Sequence, residues 1–246
     1  MKKTYFLSDF HLGTPTLQAS AQREKKICRF LDAIKAQAEA IYFVGDIFDF
    51  WFEYKTVVPK GYVRLLGKIA ELKDSGIPIY VFTGNHDLWM RNYFEEEFGI
   101  PVFRNPVEHT IQGKRFFIGH GDGLGPGDIG FKLMKKVFTN PVCKWLFGWV
   151  HPDIGVGVAN FWSRRSRKAS TTKDEKNFGK EEWLFQYAKR KLSQQHYDYF
   201  IFGHRHLPLN LEVGPSSNYI NLGDWLKYDT YAVVENGVCE LKKYEE

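Results

Sequence analysis

Seven side chains able to ligate a metal recur in short, separated blocks of the 246-residue chain: Asp9 and His11, Asp46, Asn85, His120, and His204 with His206. Each block follows a strand-like run, and most are introduced by glycine, as in Gly45-Asp46, Gly84-Asn85-His86-Asp87, Gly119-His120 and Gly203-His204-Arg205-His206. Carboxylate, imidazole and amide donors in this mixture suit borderline divalent cations such as Mn²⁺, Fe²⁺ or Zn²⁺. An all-oxygen set would suggest Mg²⁺, and an all-thiolate set structural zinc. The chemistry expected of these donors is two-metal hydrolysis of a phosphoester or phosphoric anhydride.

Residues two apart on an extended chain point the same way, so Asp9 and His11 are expected to grip one ion together, and His204 with His206 likewise. Asp46 is the natural bridge, because a carboxylate has two oxygens and serves ions about 3.5 to 4 Å apart. Asn85 then supplies a neutral oxygen. Two divalent cations against only Asp9 and Asp46 leave the bare centre about two units positive, which favours hydroxide and phosphate together. A structural calcium site would carry more carboxylates and fewer imidazoles. Taken singly, Asp-x-His is ordinarily a loop carboxylate capping a turn. Its recurrence with other donors at strand ends points to a site.

The elements that must position these donors alternate in type. Residues 4–8 read as a short strand, 21–38 as an amphipathic helix, 40–44 as a strand, 60–75 as a helix closed by Gly76, and 78–83 as a strand ending at Gly84-Asn85. This βαβαβ order implies a parallel sheet covered by helices, with ligands beyond the carboxyl ends of its strands. Further on, 107–111 and 115–119 form a hairpin, and 197–202, 207–213, 218–222, 231–234 and 238–243 are strands, the last two turning at Glu235-Asn236-Gly237. The expected fold class is mixed α/β, a two-sheet sandwich in one domain over 1–246. A largely helical insertion over 123–195 interrupts the donor series between His120 and His204 and should rise over the site.

Composition narrows the setting. The chain is 43% hydrophobic and 17% aromatic, ample for a core, and its formal charge of +5 is too weak to argue for nucleic acid. Cys28, Cys143 and Cys239 are odd in number and match no zinc or disulfide pattern. The apolar run after the basic start is too short for a signal peptide, and no stretch approaches the roughly 18 uncharged residues that cross a bilayer. A cytoplasmic location is the expectation, with peripheral contact at the inner face of the inner membrane.

The combined pattern Asp-x-His, Gly-Asp-x-x-Asp, Gly-Asn-His-Asp, Gly-His and Gly-His-x-His resembles the calcineurin-like metallophosphoesterases, with every core motif present in order. The resemblance implies their four-layer αββα sandwich and two divalent ions, Mn²⁺ foremost. It places Asp9, His11, Asp46 and His206 on one ion and Asp46, Asn85, His120 and His204 on the other, with a water-derived nucleophile attacking phosphorus in line. His86, beside a ligand, would donate a proton to the leaving oxygen or hydrogen-bond the transition state, and Asp49 would orient it. Asp87 reads at least as well as a loop cap, and Asp122 as a partner of a ligating imidazole or a substrate contact. His109, His151 and His196 match no motif position and read as packing or surface residues.

Within that superfamily the chain is similar, nearly end to end, to the UDP-2,3-diacylglucosamine pyrophosphatases of the lipid A pathway. The similarity runs through Ser8-Asp9-Phe10-His11-Leu12-Gly13, Gly45-Asp46-Ile47-Phe48-Asp49-Phe50-Trp51, Gly119-His120-Gly121-Asp122-Gly123-Leu124 and Gly203-His204-Arg205-His206-Leu207-Pro208. It implies a lipid-nucleotide partner, cleaved to 2,3-diacylglucosamine 1-phosphate and UMP. The insertion suits such an amphiphile. Phe131, Leu133, Met134, Val137, Phe138, Trp145, Leu146, Phe147, Trp149, Val156, Val158, Phe161 and Trp162 can wall an apolar groove or meet a membrane surface, while Arg164, Arg165, Arg167 and Lys168 face phosphate. The plainer alternative is an aromatic stripe packed on its own domain beside a solvated basic face. The best-known branch of these pyrophosphatases carries arginine at the position of His86, and arginine offers charge without a transferable proton. A metallophosphoesterase for another phosphodiester, nucleotide or phosphoprotein would keep the donors without needing an amphiphilic lid. A non-catalytic scaffold of the same fold would not need all the donor positions filled.

Overall fold

The computed structural model describes residues 2–125, 129–159, 161, 163 and 177–245. Its first sheet grows from short apolar runs that are buried on both faces. Strands β1 (Lys3–Leu7), β2 (Ala38–Val44), β3 (Ile79–Phe82) and β4 (Val102–Phe103) run parallel, and β10 (Thr230–Glu235) and β11 (Val238–Lys243) join antiparallel beyond β1. Helices α1 (Leu17–Lys35) and α2 (Val63–Asp74) make the crossovers from β1 to β2 and from β2 to β3. The Thr16 side chain accepts the Ala19 amide at 3.1 Å, an N-cap that starts α1 earlier than the anticipated residue 21. A short helix, α3 (Tyr93–Phe98), was not anticipated, because its six residues hold too little periodicity to read.

Strands β5 (Val107–Ile111), β6 (Lys114–Ile118), β7 (Tyr199–Phe202), β8 (Pro208–Gly214) and β9 (Ser217–Leu222) form the second sheet in the order β5-β6-β7-β9-β8. Alternate side chains then separate the layers. Tyr5 and Leu7 meet Ile27, Phe30, Leu31 and Ile69 on the helical side, whereas Phe6 turns inward and stacks on Phe116 of the facing sheet at 5.8 Å. Phe200 and Phe202 turn outward against Leu184, Phe185 and Ala188 of α7 (Trp183–Leu192). Helix, sheet, sheet, helix is the architecture the resemblance implied. Helix α7 lies within the span 123–195, and it supplies the fourth layer.

Earlier in that span come α4 (Ile129–Thr139), α5 (Pro141–Phe147) and a helical stretch, α6, over 152–159. They rest on an aromatic base. Trp89 donates its indole N–H to the Phe138 carbonyl, and the Phe147 ring lies 4.5 Å from Trp89 and 4.7 Å from Phe52. Phe138 and Phe147 therefore face the domain, while Leu133, Val137, Trp145, Leu146, Trp149 and Phe161 are exposed. Trp162, Arg164, Arg165, Arg167 and Lys168 lie outside the described residues.

Candidate metal centre

The loops that leave β1, β2, β3, β6 and β7 at their carboxyl ends converge, and they bring all seven anticipated donors into one cluster, with Asp9, His11, Asp46 and His120 buried and Asn85, His204 and His206 half-buried at its open side. His11 Nε2 lies 3.1 Å from His206 Nε2, 3.5 Å from Asp9 Oδ1 and 3.6 Å from Asp46 Oδ2. His206 Nε2 lies 3.3 Å from Asp9 Oδ1. On the other side of Asp46, His120 Nε2 stands 3.4 Å from the same Oδ2 and 3.3 Å from Asn85 Oδ1, which is 2.7 Å from His204 Nδ1. Asp46 Oδ2 thus belongs to both halves.

The expected reason for the Asp9–His11 pairing does not hold. Asp9, His11, Asp46, His204 and His206 all have left-handed backbones, with φ between 43° and 70°, so their side chains converge from tight loops and not from extended chain. His204 turns to Asn85 and His206 to His11 and Asp9, so these two histidines serve opposite halves. Two glycines permit this crowding. A Cβ on Gly84 would lie 2.6 Å from the Asp46 amide nitrogen, and one on Gly203 would lie 2.5 Å from Asp9 Oδ2.

Protein partners occupy one polar atom of several donors and leave the other for the centre. Asp9 Oδ2 accepts from Ser8 Oγ at 2.6 Å and from the His204 amide at 3.0 Å. Asp46 Oδ1 accepts from the His86 amide at 2.9 Å. His120 Nδ1 donates to the Val44 carbonyl at 2.9 Å, and His206 Nδ1 faces Asp224 Oδ2 at 3.3 Å. Such outer contacts fix tautomer and ring direction at ligating histidines. Among the described residues, Asp9 Oδ1 and Asp46 Oδ2 are buried without a hydrogen-bond partner, although a desolvated carboxylate oxygen needs one.

Electrostatics agrees with a cation-seeking cluster. Burial works against charge on both carboxylates, yet His206 and His11 bring Asp9 down to about 2, and the imidazoles around Asp46, His120 foremost, hold it well below the ordinary carboxylate range. Burial likewise opposes charge on His120, but Asp46 outweighs it and raises the ring to about 10. Positive charge is thus held where the buried carboxylates meet. Donor types, unpaired oxygens and charge all fit divalent cations.

His86 sits beside this cluster with Nδ1 3.1 Å from the Asp49 carbonyl oxygen and 3.6 Å from Asp49 Oδ1. Burial lowers its pKa to about 4, and a neutral ring donating through Nδ1 leaves Nε2 bare. Ser163, a residue not anticipated, donates to Asp49 Oδ2 at 3.0 Å and lies 3.2 Å from His86 Nδ1. Asp87 is a loop tie, accepting the amides of Gly84 and Ile47 at 2.6 and 2.9 Å. Asp122 is buried and pairs with Lys135 of α4. Both border a cavity of about 40 Å³ that Thr83, Arg104, Asn105 and His120 also line. His109 hydrogen-bonds Tyr42 Oη at 2.8 Å, and His151 and His196 are exposed, all three away from the centre. Ser163 and Asp224 carried no motif signal, because their partners are distant in the chain.

A two-sheet α/β sandwich whose strand-end loops collect carboxylate, amide and imidazole donors defines a metal-dependent hydrolase. Residues 2–208 match the calcineurin-like phosphoesterase family, and the chain belongs to it. Its relatives include the UDP-2,3-diacylglucosamine hydrolase of Porphyromonas gingivalis, 36% identical over 99% of this chain and 98% of that protein. The UDP-2,3-diacylglucosamine hydrolase of Histophilus somni is 26% identical over 92% of this chain and 93% of its own length. Among solved structures, an archaeal phosphodiesterase shares the fold with a TM-score of 0.50 at 13% identity, covering 98% of each chain.

Proposed function

We propose that the protein hydrolyses the pyrophosphate of UDP-2,3-diacylglucosamine, giving 2,3-diacylglucosamine 1-phosphate and UMP as a step of lipid A biosynthesis. The observation that carries this reading is the full donor cluster, joined through Asp46 Oδ2, in a chain that aligns nearly end to end with hydrolases of that lipid nucleotide. Asp9, His11, Asp46 and His206 would hold one divalent ion and Asp46, Asn85, His120 and His204 the other, with Mn²⁺ the first candidate. When bound, the ions supply Lewis acidity to phosphoryl oxygens and lower the pKa of water.

The chain's own residues then set geometry and proton positions. Asp49 fixes the His86 ring through Nδ1, and burial keeps that ring neutral at physiological pH. Pyrophosphate cleavage releases a phosphate monoester, whose second pKa is about 6, so the leaving oxygen needs little protonation. Hydrogen bonding to phosphate needs a proton on His86 Nε2, so the ring, neutral in the protein alone, would take that role as imidazolium beside the bound anion. Asp122 is held by Lys135, which supports a role in orienting this side of the site over one as a free substrate ligand.

The lipid end has its own support. Trp149 is 77% exposed and Leu133 64%, with Val137, Trp145, Leu146 and Phe161 also open to solvent on the same segment. Apolar surface of this extent suits acyl chains or the membrane that holds them. No helix among the described residues is long and apolar enough to cross a membrane. Arg164, Arg165 and Lys168 are proposed to meet the phosphates. The test is product analysis with UDP-2,3-diacylglucosamine beside simple phosphodiesters and nucleotides. UMP and lipid phosphate in equal amounts are expected, and preferential turnover of the simple esters would refute the substrate assignment.

A further inference from the structure

Several charged residues outside the donor set are buried, and two of them pair with each other. Glu182 and Arg205 are both buried, and guanidinium meets carboxylate as a fork, Nε donating to Oε2 at 2.9 Å and Nη2 to Oε1 at 3.1 Å. Arg205 lies between His204 and His206, whose φ values of 70° and 54° a residue with a Cβ adopts only under constraint. The loop lies past the end of β7, beyond strand pairing, and the Arg205 amide donates back to the Gly203 carbonyl at 2.8 Å.

The other half of the pair begins a helix. Glu182 is the residue from which α7 departs, and its carboxylate sits at the favourable end of the helix dipole. The following two residues reach the neighbouring donor loops. The Trp183 ring lies edge-on to His204 at 5.6 Å, and Leu184 packs so closely that a Cβ on Gly121, next to His120, would approach it within 2.9 Å. Three successive side chains at the start of α7 thus touch both histidine loops.

A buried ion pair is weak evidence for stability, since desolvation offsets much of the attraction. We infer that Glu182 and Arg205 form a positioning pair, holding the left-handed loop so that His204 and His206 aim at different ions and locking that geometry to the start of α7. The inference rests on the two-ion reading of the donor cluster. Neither residue is a ligand, and both act through the histidines.

Mn²⁺ alone is the probe, titrated calorimetrically into the full chain with Tm measured in chelator. Glu182→Gln removes the charged partner, and Mn²⁺ affinity should fall about 10- to 100-fold. Because a lone buried cation also lowers Tm, the deciding variant is Glu182→Gln with Arg205→Met, which removes both charges. Tm restored toward wild type with Mn²⁺ still weakly held supports positioning. Recovery of both, or unchanged affinity in Glu182→Gln, overturns it. Arg205→Lys keeps the charge and loses the fork, and serves where the other variants do not fold: lowered affinity at wild-type Tm supports the pair, and wild-type affinity overturns it. Wild-type protein that binds fewer than two ions would instead remove the reading beneath.

Discussion

Gly84→Ala tests how tightly the backbone sets the bridging carboxylate. The new Cβ would lie 2.6 Å from the Asp46 amide nitrogen and 2.7 Å from Asp46 Cγ, where ordinary contact begins near 3.4 Å. Asp46 Oδ1 lies closer still, so relief requires a shift of at least about 0.8 Å, and the atoms in the way are backbone and a carboxylate tied to the His86 amide, neither of them free to swing aside. Misplacement of about 1 Å in a reacting geometry costs on the order of 10²-fold, so kcat should fall roughly 100-fold, about 2.7 kcal/mol in the barrier. Overpacking should also lower stability by about 1 to 3 kcal/mol, a Tm drop of roughly 2 to 10 °C for a chain of this size. UMP release and Mn²⁺ titration measure the first effect, and thermal unfolding in chelator the second. Gly67→Ala is the control, because its Cβ on the exposed face of α2 meets nothing within 4 Å and should stabilise by about 0.4 to 1 kcal/mol. Wild-type turnover and Mn²⁺ affinity in Gly84→Ala would refute the claim that the glycine sets the Asp46 position.

Asp46→Ala should abolish both ion sites and all turnover, and a titration showing one intact site would contradict the bridge. Asp224→Asn keeps the Oδ1 that caps the Leu226 and Lys227 amides and changes the charge facing His206 Nδ1, so Mn²⁺ affinity should weaken about 10- to 100-fold with little change in Tm. His86→Ala should leave both ions bound while slowing turnover by roughly 10²- to 10⁴-fold, and His86→Arg should recover part of the loss. A His86→Arg variant no better than His86→Ala would favour proton transfer over hydrogen bonding. In metal-free protein the buried His86 ring titrates near 4 against 6.5 when unfolded, so the unfolded chain binds the proton first and stability is lost as pH falls from 6.5 to about 4. Unfolding midpoints in chelator should therefore fall less steeply over that range in His86→Ala, and equal slopes would count against a buried neutral ring.

Much of the fold was legible because the apolar spacing was regular. The apolar runs of β1 through β3, the helical spacing between them and the Asn236-Gly237 turn joining β10 to β11 are plain signals, and only boundaries moved, as where the Thr16 cap begins α1. The donors were legible because carboxylate, imidazole and amide groups behind glycine are rarely combined at strand ends. Their conformation was not. Period-two reasoning assumed extended chain at Asp9–His11 and His204–His206, but tertiary packing of the loops imposes left-handed turns there. Partners such as Ser163 on Asp49 or Asp224 on His206 depend on where distant loops meet, which no local pattern reports. Nor does hydrophobicity reveal that Phe138 and Phe147 pack on Trp89 while Trp145 and Trp149 stay outside.

The left-handed donors also explain why the centre is built with so many supports. A left-handed L-residue costs roughly 1 to 2 kcal/mol, and Asp9, His11, Asp46, His204 and His206 all adopt that conformation, so the cluster stores about 5 to 10 kcal/mol of local strain. That is comparable with the whole stability of an ordinary domain, and it cannot persist in an unsupported loop. Ser8 on Asp9, the His86 amide on Asp46, Asp87 across two loops and Glu182 on Arg205 each fasten one of these turns at a backbone or buried side-chain contact. Cations that bind only the folded cluster would add stability by mass action, offsetting that strain. Single supports are therefore expected to affect ion affinity well before they affect the fold.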